Sequence, residues 1–435
     1  MSPIGAAHRT GAALVLAAAA AACASGEART VLTVASWASW SEQRLEAAYV
    51  HRFEELNPGI GVSLAPASNA AEYRDQILTS IAAGAPPDVF LLDNIDVPAL
   101  VAANVTLDLA PYAERAGIRL DAFEPRVLDI FRSGSRIVAF PKGYTPIVLA
   151  FNRDMFDAAG VPYPRTDWTW DEFLAAARAL TRDTDGDGET DTWGFWLDRR
   201  PFLWIPSLWS LGGDILCADG RRASGCLDSP QSIAAFRELL ALATREHVTP
   251  RFFGLRRTVG DHLRMFASGR VAMIPIGHFY LPALRPHLEA GRLRMGVSFL
   301  PRRAGGEPAT VIYASGFAVP AAARHKRLSV RLAAFMVDSL AQHTRASGGL
   351  EIPALRSAAA LAVSRDSSGL ESVFVAATRH GRLPWGARIA PWREVESVLP
   401  DIFDRVLLRG EDVAAVLRDI APRIDAIVEP GRVVR

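Results

Sequence analysis

The run Asp183, Thr184, Asp185, Gly186, Asp187, Gly188, Glu189, Thr190, Asp191 has the residue types and spacing of a cation loop. Calcium takes hard oxygen ligands on a tightly curled backbone. The first, third and fifth positions supply carboxylates from Asp183, Asp185 and Asp187, the seventh offers the Glu189 carbonyl, and Asp191 acts directly or through water. The twelfth position holds Gly194 in place of the usual bidentate glutamate, so a remote carboxylate must complete the shell or affinity is weak. An Asp-Gly-rich surface turn with no ion is equally compatible with this composition.

The other reactive side chains are three cysteines. Arg9 leads into the apolar run from Gly11 to Ala22 and then Cys23. A charged start, an apolar stretch too short to span a bilayer and small residues at the end make a secretory signal, with residues 1–22 as the leader and Cys23 as a lipid-attachment site. An ordinary cleaved signal is the alternative. The expected lipid motif has leucine three residues before the cysteine, where this chain has Ala20. Residues 23–30, with Ser25 and Gly26, then read as a lipid-anchored tether holding an extracytoplasmic protein at the membrane. Cys217 and Cys226 remain as an even pair, and an oxidising exterior favours a disulfide over two buried thiols.

With 435 residues, half of them hydrophobic, the chain can bury two cores. A net charge of +1 with acids and bases interspersed argues against a nucleic-acid partner. The elements that position the side chains begin with a strand at 31–35, a loop bearing Trp37 and Trp40, a helix over 41–56 stopped by Asn57, Pro58 and Gly59, and a strand from 62. A helix over 71–83 and a strand over 89–92 follow. This alternation predicts an α/β protein with a mainly parallel sheet. Ligands bind at the carboxyl ends of such strands, which carry Trp37, Trp40, Asp93 and Asn94. Tyr144, Thr145 and Pro146 read as an interruption between two strands, at a crossover into a second lobe. Beyond it, a helix over 170–180 starts with Thr169 as its cap and Glu172 near the capping-box position.

Several blocks, in order, resemble the extracellular sugar-binding proteins of ABC importers, the family one solute-binding proteins. They are TVASWASW, FEELNPGIGV, GAPPDVFLLD, FPKGYTPIVLAFNRDMFDAAGV, TWDEFLAAARALT, FASGRVAMIPIGHF and YASGFAVP. The resemblance implies a two-lobed periplasmic-binding-protein-like fold of type II, with an interlobe ligand cleft and crossing hinge strands. Residues 30–142 and 306–352 would form the N-terminal lobe, and 143–305 and 353–435 the C-terminal lobe. It implies a monomer that captures a sugar or oligosaccharide and delivers it to permease membrane subunits, with no catalysis. It also implies that the 183–191 loop is a stabilising calcium site away from the cleft.

A sugar presents hydroxyls at its edge and apolar C–H faces, so its site needs flat aromatics and planar polar groups. By position in the family pattern, the candidates are Trp37, Trp40, Asp93 and Tyr313 from the first lobe. Tyr144, Trp209, Phe279, Trp385 and Arg388 come from the hinge and second lobe. Trp204 and Trp209 lie in an apolar helix-like run, where core packing is as good a reading. Where the family often has tryptophan, this chain has His278 and Phe279; Phe279 can stack, and His278 reads as a polar loop residue. Two other classes stay open: a secreted glycoside hydrolase, although Asp93 has no evident acid or nucleophile partner, and a binder of glycerol phosphate or a polyol, which Arg388 would suit.

Overall fold

The computed structural model describes residues 29–37, 40–67, 70–250 and 260–429. The leader, Cys23, most of the tether and the Trp40 side chain lie outside the described residues. The first strand, β1 (Thr30–Trp37), leads to helix α1 (Trp40–Leu56), then β2 (Ile60–Ala67), α2 (Ala70–Ala82) and β3 (Val89–Asp93). The pattern read from the sequence therefore holds to within a few residues, the usual margin at element ends.

The sheet is mixed rather than mainly parallel. β1 pairs in parallel with both β2 and β3. The long strand β4 (Phe140–Asn152) and the later strands β5 (Met273–Gly277), β6 (Met295–Ser298) and β7 (Thr310–Ala318) supply antiparallel neighbours. The main order is β2, β1, β3, β7, β4, then the short β8 (Ile352–Pro353), with β7 antiparallel to both β3 and β4. Strand-helix alternation foretells only the local parallel unit. The antiparallel partners arrive from the far end of the chain, a pairing no local pattern encodes.

β4 also corrects the expected interruption. It runs unbroken through Tyr144, Thr145 and Pro146, with all its residues buried. Proline removes a ladder donor, and here side-chain hydroxyls make up the bonding. Thr145 Oγ1 accepts the His278 N–H at 2.6 Å and donates to the Pro146 carbonyl at 2.9 Å. Thr310 Oγ1 accepts the Ile147 N–H at 3.1 Å and donates to the Ile147 carbonyl at 2.6 Å. The first half of β4 pairs with β7 and β8, and the second half with β5 and β6.

Buried side chains form two clusters, and β4 divides its faces between them. Val148 and Ala150 pack in the first, with Val34, Phe90 and Phe317. Ile147, Leu149 and Phe151 pack in the second, with Trp204, Phe236 and Phe403. Alternation along a strand sends successive side chains to opposite faces, so one apolar run serves two cores. The second core includes α3 (Trp170–Ala179), whose capping box is complete: Glu172 accepts the Thr169 N–H at 2.8 Å, and Thr169 Oγ1 accepts the Glu172 N–H at 3.3 Å. It also includes α4 (Pro201–Ser210), where Trp204 is buried against Phe236 and Phe403 as a core residue. No helix among the described residues is long and apolar enough to cross a membrane.

Candidate functional site

A cleft of about 520 Å³ opens beside β4, bordered by side chains from both cores. Trp37 and Asp93 reach it from the carboxyl ends of β1 and β3, and Tyr144 and Tyr313 from the crossing strands β4 and β7. Trp209 comes from α4, and Phe279 and Trp385 from turns that follow short elements. Seven of the nine candidates thus share one cavity although they are spread over some 350 positions of sequence. The side chain of an eighth, Trp40, is not described.

Arg388 is the exception and corrects its expected place: it is not among the side chains that line the cleft. Its guanidinium stacks on the Trp385 ring, 4.1 Å from the centroid, and donates to the Ala218 carbonyl at 2.5 Å. A planar cation over an indole face is an attractive contact in its own right, so Arg388 backs an aromatic wall.

That wall is built around Asp214. Trp209 Nε1 donates to Asp214 Oδ1 at 2.8 Å, and Trp385 Nε1 donates to the same oxygen at 2.7 Å. Arg382 pairs with the other oxygen at 2.9 Å while its guanidinium lies 4.4 Å from the Trp209 centroid. One carboxylate therefore fixes two indoles, and each indole carries an arginine on a face. The Ala218 carbonyl that holds Arg388 sits in a short loop closed by a Cys217–Cys226 disulfide, with Cα atoms 5.3 Å apart. Phe279, 42% exposed, folds across Gly277, where a Cβ would come within 2.3 Å of its ring.

The cleft also has a polar lining. Asp93 caps the turn after β3, accepting the Ile95 N–H at 3.3 Å. Burial, helped by the nearby charge of Asp96, pushes its carboxyl up to about 6. Glu396, on α5 (Trp392–Val398), is pushed up to about 7 by burial; Arg393 opposes the shift and Asp93 adds to it. Arg393 is itself engaged, forming two 2.7 Å bonds with Asp96, which also pairs with Arg74 at 2.9 Å. Lys142 reaches the cleft from an irregularity in the β4–β7 register between Pro141 and Gly143. Its ammonium lies 2.9 Å from Glu351 and 3.7 Å from Glu42. Burial works against its charge, but these carboxylates outweigh burial and raise its pKa. Burial lifts the Tyr144 phenol to about 12 and the Tyr313 phenol well above its ordinary value.

Sequence reasoning missed Lys142, Asp214, Phe202, Trp392, Arg393 and Glu396. Lys142 depends on a local register shift, and Asp214 on two indoles that are remote from each other in sequence. Trp392 ends the stretch LPWGARIAPW that carries Trp385 and Arg388, and Arg393 and Glu396 follow it on the same helix, a signal that could have been followed. His278 is buried rather than a polar loop residue: its Nε2 meets Glu371 at 2.8 Å, away from the cleft lining.

In the 183–191 loop, the side-chain oxygens of Asp183, Asp185 and Asp187 lie within 4.8 Å of one another. Asp183 accepts the N–H groups of Gly186 and Gly188 at 2.7 and 2.8 Å, which holds its carboxyl below the ordinary range. Asp191 accepts the Thr184 hydroxyl and N–H at 2.6 and 2.8 Å and is likewise lowered. Asp191 and Glu189 are not in the three-carboxylate group. This exposed Asp triad could hold a metal ion.

The comparisons with known proteins agree with this architecture. The model of the bacterial extracellular solute-binding protein family matches residues 37–342. A binding protein of Brucella abortus strain 2308 is 24% identical over 396 residues, covering 87% of this chain and 88% of that protein. An ABC substrate-binding protein of Listeria monocytogenes, solved with cycloalternan, superposes with a TM-score of 0.80 at 21% identity over 92% of this chain and 98% of that one. UgpB of Mycobacterium tuberculosis, solved with glycerophosphocholine, superposes at 0.76 with 19% identity over 91% and 98%. The fold is the mixed α/β fold of periplasmic binding proteins, and the chain belongs to the bacterial extracellular solute-binding protein family, whose members bind solutes rather than transform them.

Proposed function

We propose that this protein is the substrate-binding component of an ABC importer, tethered outside the cytoplasm through Cys23, and that it captures a sugar or oligosaccharide in the cleft beside β4. The observation that carries this reading is the cleft lining. Rigid aromatics, Trp37, Trp209, Phe279, Tyr313 and Trp385, offer faces for sugar C–H surfaces, while Asp93, Glu396 and Lys142 offer hydrogen bonds to hydroxyls. Residues 30–142 with 306–352, and 143–305 with 353–435, would be the two lobes, hinged where β4 and β7 cross between them. Ligand would shift an open-closed equilibrium, with the closed form recognised by the permease.

Charge weighs against a phosphate ester. Both basic groups of the lining, Lys142 and Arg393, are already paired with carboxylates, and Arg388 is occupied at Trp385. A glycoside hydrolase would use two carboxylates in such a cleft, and Asp93 with Glu396 supplies two. Membership of a binding family weighs against turnover, so the sugar should leave unchanged. The Asp183, Asp185 and Asp187 oxygens are of the hard type that calcium prefers. We assign calcium to that loop in a stabilising role, with the Glu189 carbonyl and Asp191 completing the shell.

A thermal-shift screen against sugars, polyols and their phosphates tests the reading. Stabilisation by a neutral saccharide supports it; stabilisation by phosphate esters alone replaces it with the glycerol-phosphate reading.

A further inference from the structure

The side chains lining the cleft include four acids, Glu42, Asp93, Glu351 and Glu396, but only two bases, Lys142 and Arg393. The bases are committed: Lys142 to Glu351 at 2.9 Å, and Arg393 to Asp96 through two 2.7 Å bonds. Among the described residues the Glu396 carboxyl has no hydrogen bond or ion pair, and the Asp93 carboxyl has no ion pair and meets only the backbone N–H groups of Ile95 and Asn94. The Tyr313 hydroxyl beside them donates elsewhere, to the Phe202 carbonyl at 3.1 Å. Two carboxyls thus line an aromatic cavity with no cation paired to them among the described residues; Arg393 acts on both through space, but its hydrogen bonds go to Asp96.

We propose that the natural ligand is a sugar or cyclitol bearing a basic nitrogen, seated against Asp93 and Glu396. A hydroxyl satisfies one lone pair and leaves the mutual repulsion of two carboxylates in place; an ammonium or protonated amine satisfies both oxygens and cancels charge. Desolvation in the closed cleft strengthens that pairing, and the face of Tyr313 attracts a cation as well. The burial that raises both carboxyls is the cost an ammonium would offset on binding.

The inference rests on the solute-binding reading, and calorimetry on the full chain at pH 7.5 separates the two. The probes are three pairs: glucosamine against glucose, a β-1,4-linked glucosamine trimer against cellotriose, and acarbose against maltotetraose. The expected result is at least tenfold tighter binding of the amine in one pair, a ratio that falls toward one in Glu396→Gln. Asp93→Asn gives a second check should the first variant fold poorly. Neutral members binding as tightly as, or more tightly than, every amine overturns the inference and leaves sugar capture standing. No binding by any of the six fails both.

Discussion

Two groups of carboxylates in this chain have opposite characters. In the 183–191 loop, Asp183 is exposed and Asp191 partly exposed; they lie within a short stretch of one another and accept backbone and hydroxyl hydrogen bonds, which lower their pKa values. In the cleft, Asp93 and Glu396 are separated by most of the chain, are shielded from water and are raised to about 6 and about 7. The difference lies in solvent and donors, not in residue type. The loop gathers N–H groups for its anions, whereas in the cleft burial outweighs the few donors that Asp93 and Glu396 meet.

The largest effect should come from the aromatic wall that shares the cleft with those acids. Asp214→Ala removes the common acceptor of two indole N–H groups and the partner of Arg382. Without that acceptor the two indoles are no longer held in place, and affinity for the tightest sugar in the calorimetric panel should fall roughly thirtyfold, about 2 kcal/mol. An unchanged dissociation constant would show that the wall does not position the ligand. Trp385→Ala should cost about tenfold in the same assay through lost stacking.

The contrast between the two carboxylate groups predicts opposite pH slopes. For Asp93 and Glu396 the native pKa lies above the ordinary 3.8 and 4.5, so the folded state holds more protons than the unfolded one. Their contribution to stability is fully present below about pH 4 and is lost as pH rises through 6 to 7. For Asp183 and Asp191 the native pKa is lowered, so their contribution is present above about pH 4 and is lost as pH falls through their native values. Thermal unfolding of Asp93→Asn against the parent should therefore show a higher Tm for the variant at pH 7.5 and little difference near pH 4. A variant less stable at pH 7.5 would contradict the assignment.

The smallest effect concerns the loop itself. Millimolar calcium should raise Tm by about 2–4 °C and a chelator should reverse it, with the shift absent in Asp185→Ala. No shift with calcium present would remove the site.

The same contrast explains what could be read from sequence. The Asp loop and the Thr169–Glu172 capping box are contiguous, so spacing alone specifies them. The first strand-helix alternation is legible for the same reason. The antiparallel role of β7, the unbroken course of β4 through Pro146 and the bond that holds Arg388 at Ala218 depend on partners more than a hundred positions away. Family order brought Trp37, Asp93, Tyr144, Trp209, Phe279, Tyr313 and Trp385 to notice, and all seven line one cavity. It was silent on Asp214, which acts only through Trp209 and Trp385, and on Glu396, whose relation to Asp93 exists only in three dimensions.

The central claim is capture of a hydroxyl-rich solute without chemistry. Its most direct test is titration of the purified protein with the saccharide panel, followed by intrinsic tryptophan fluorescence, with the sugar recovered afterward and analysed. Saturable one-to-one binding with the sugar returned intact is the predicted result; cleaved sugar, lost on Asp93→Asn, would contradict it.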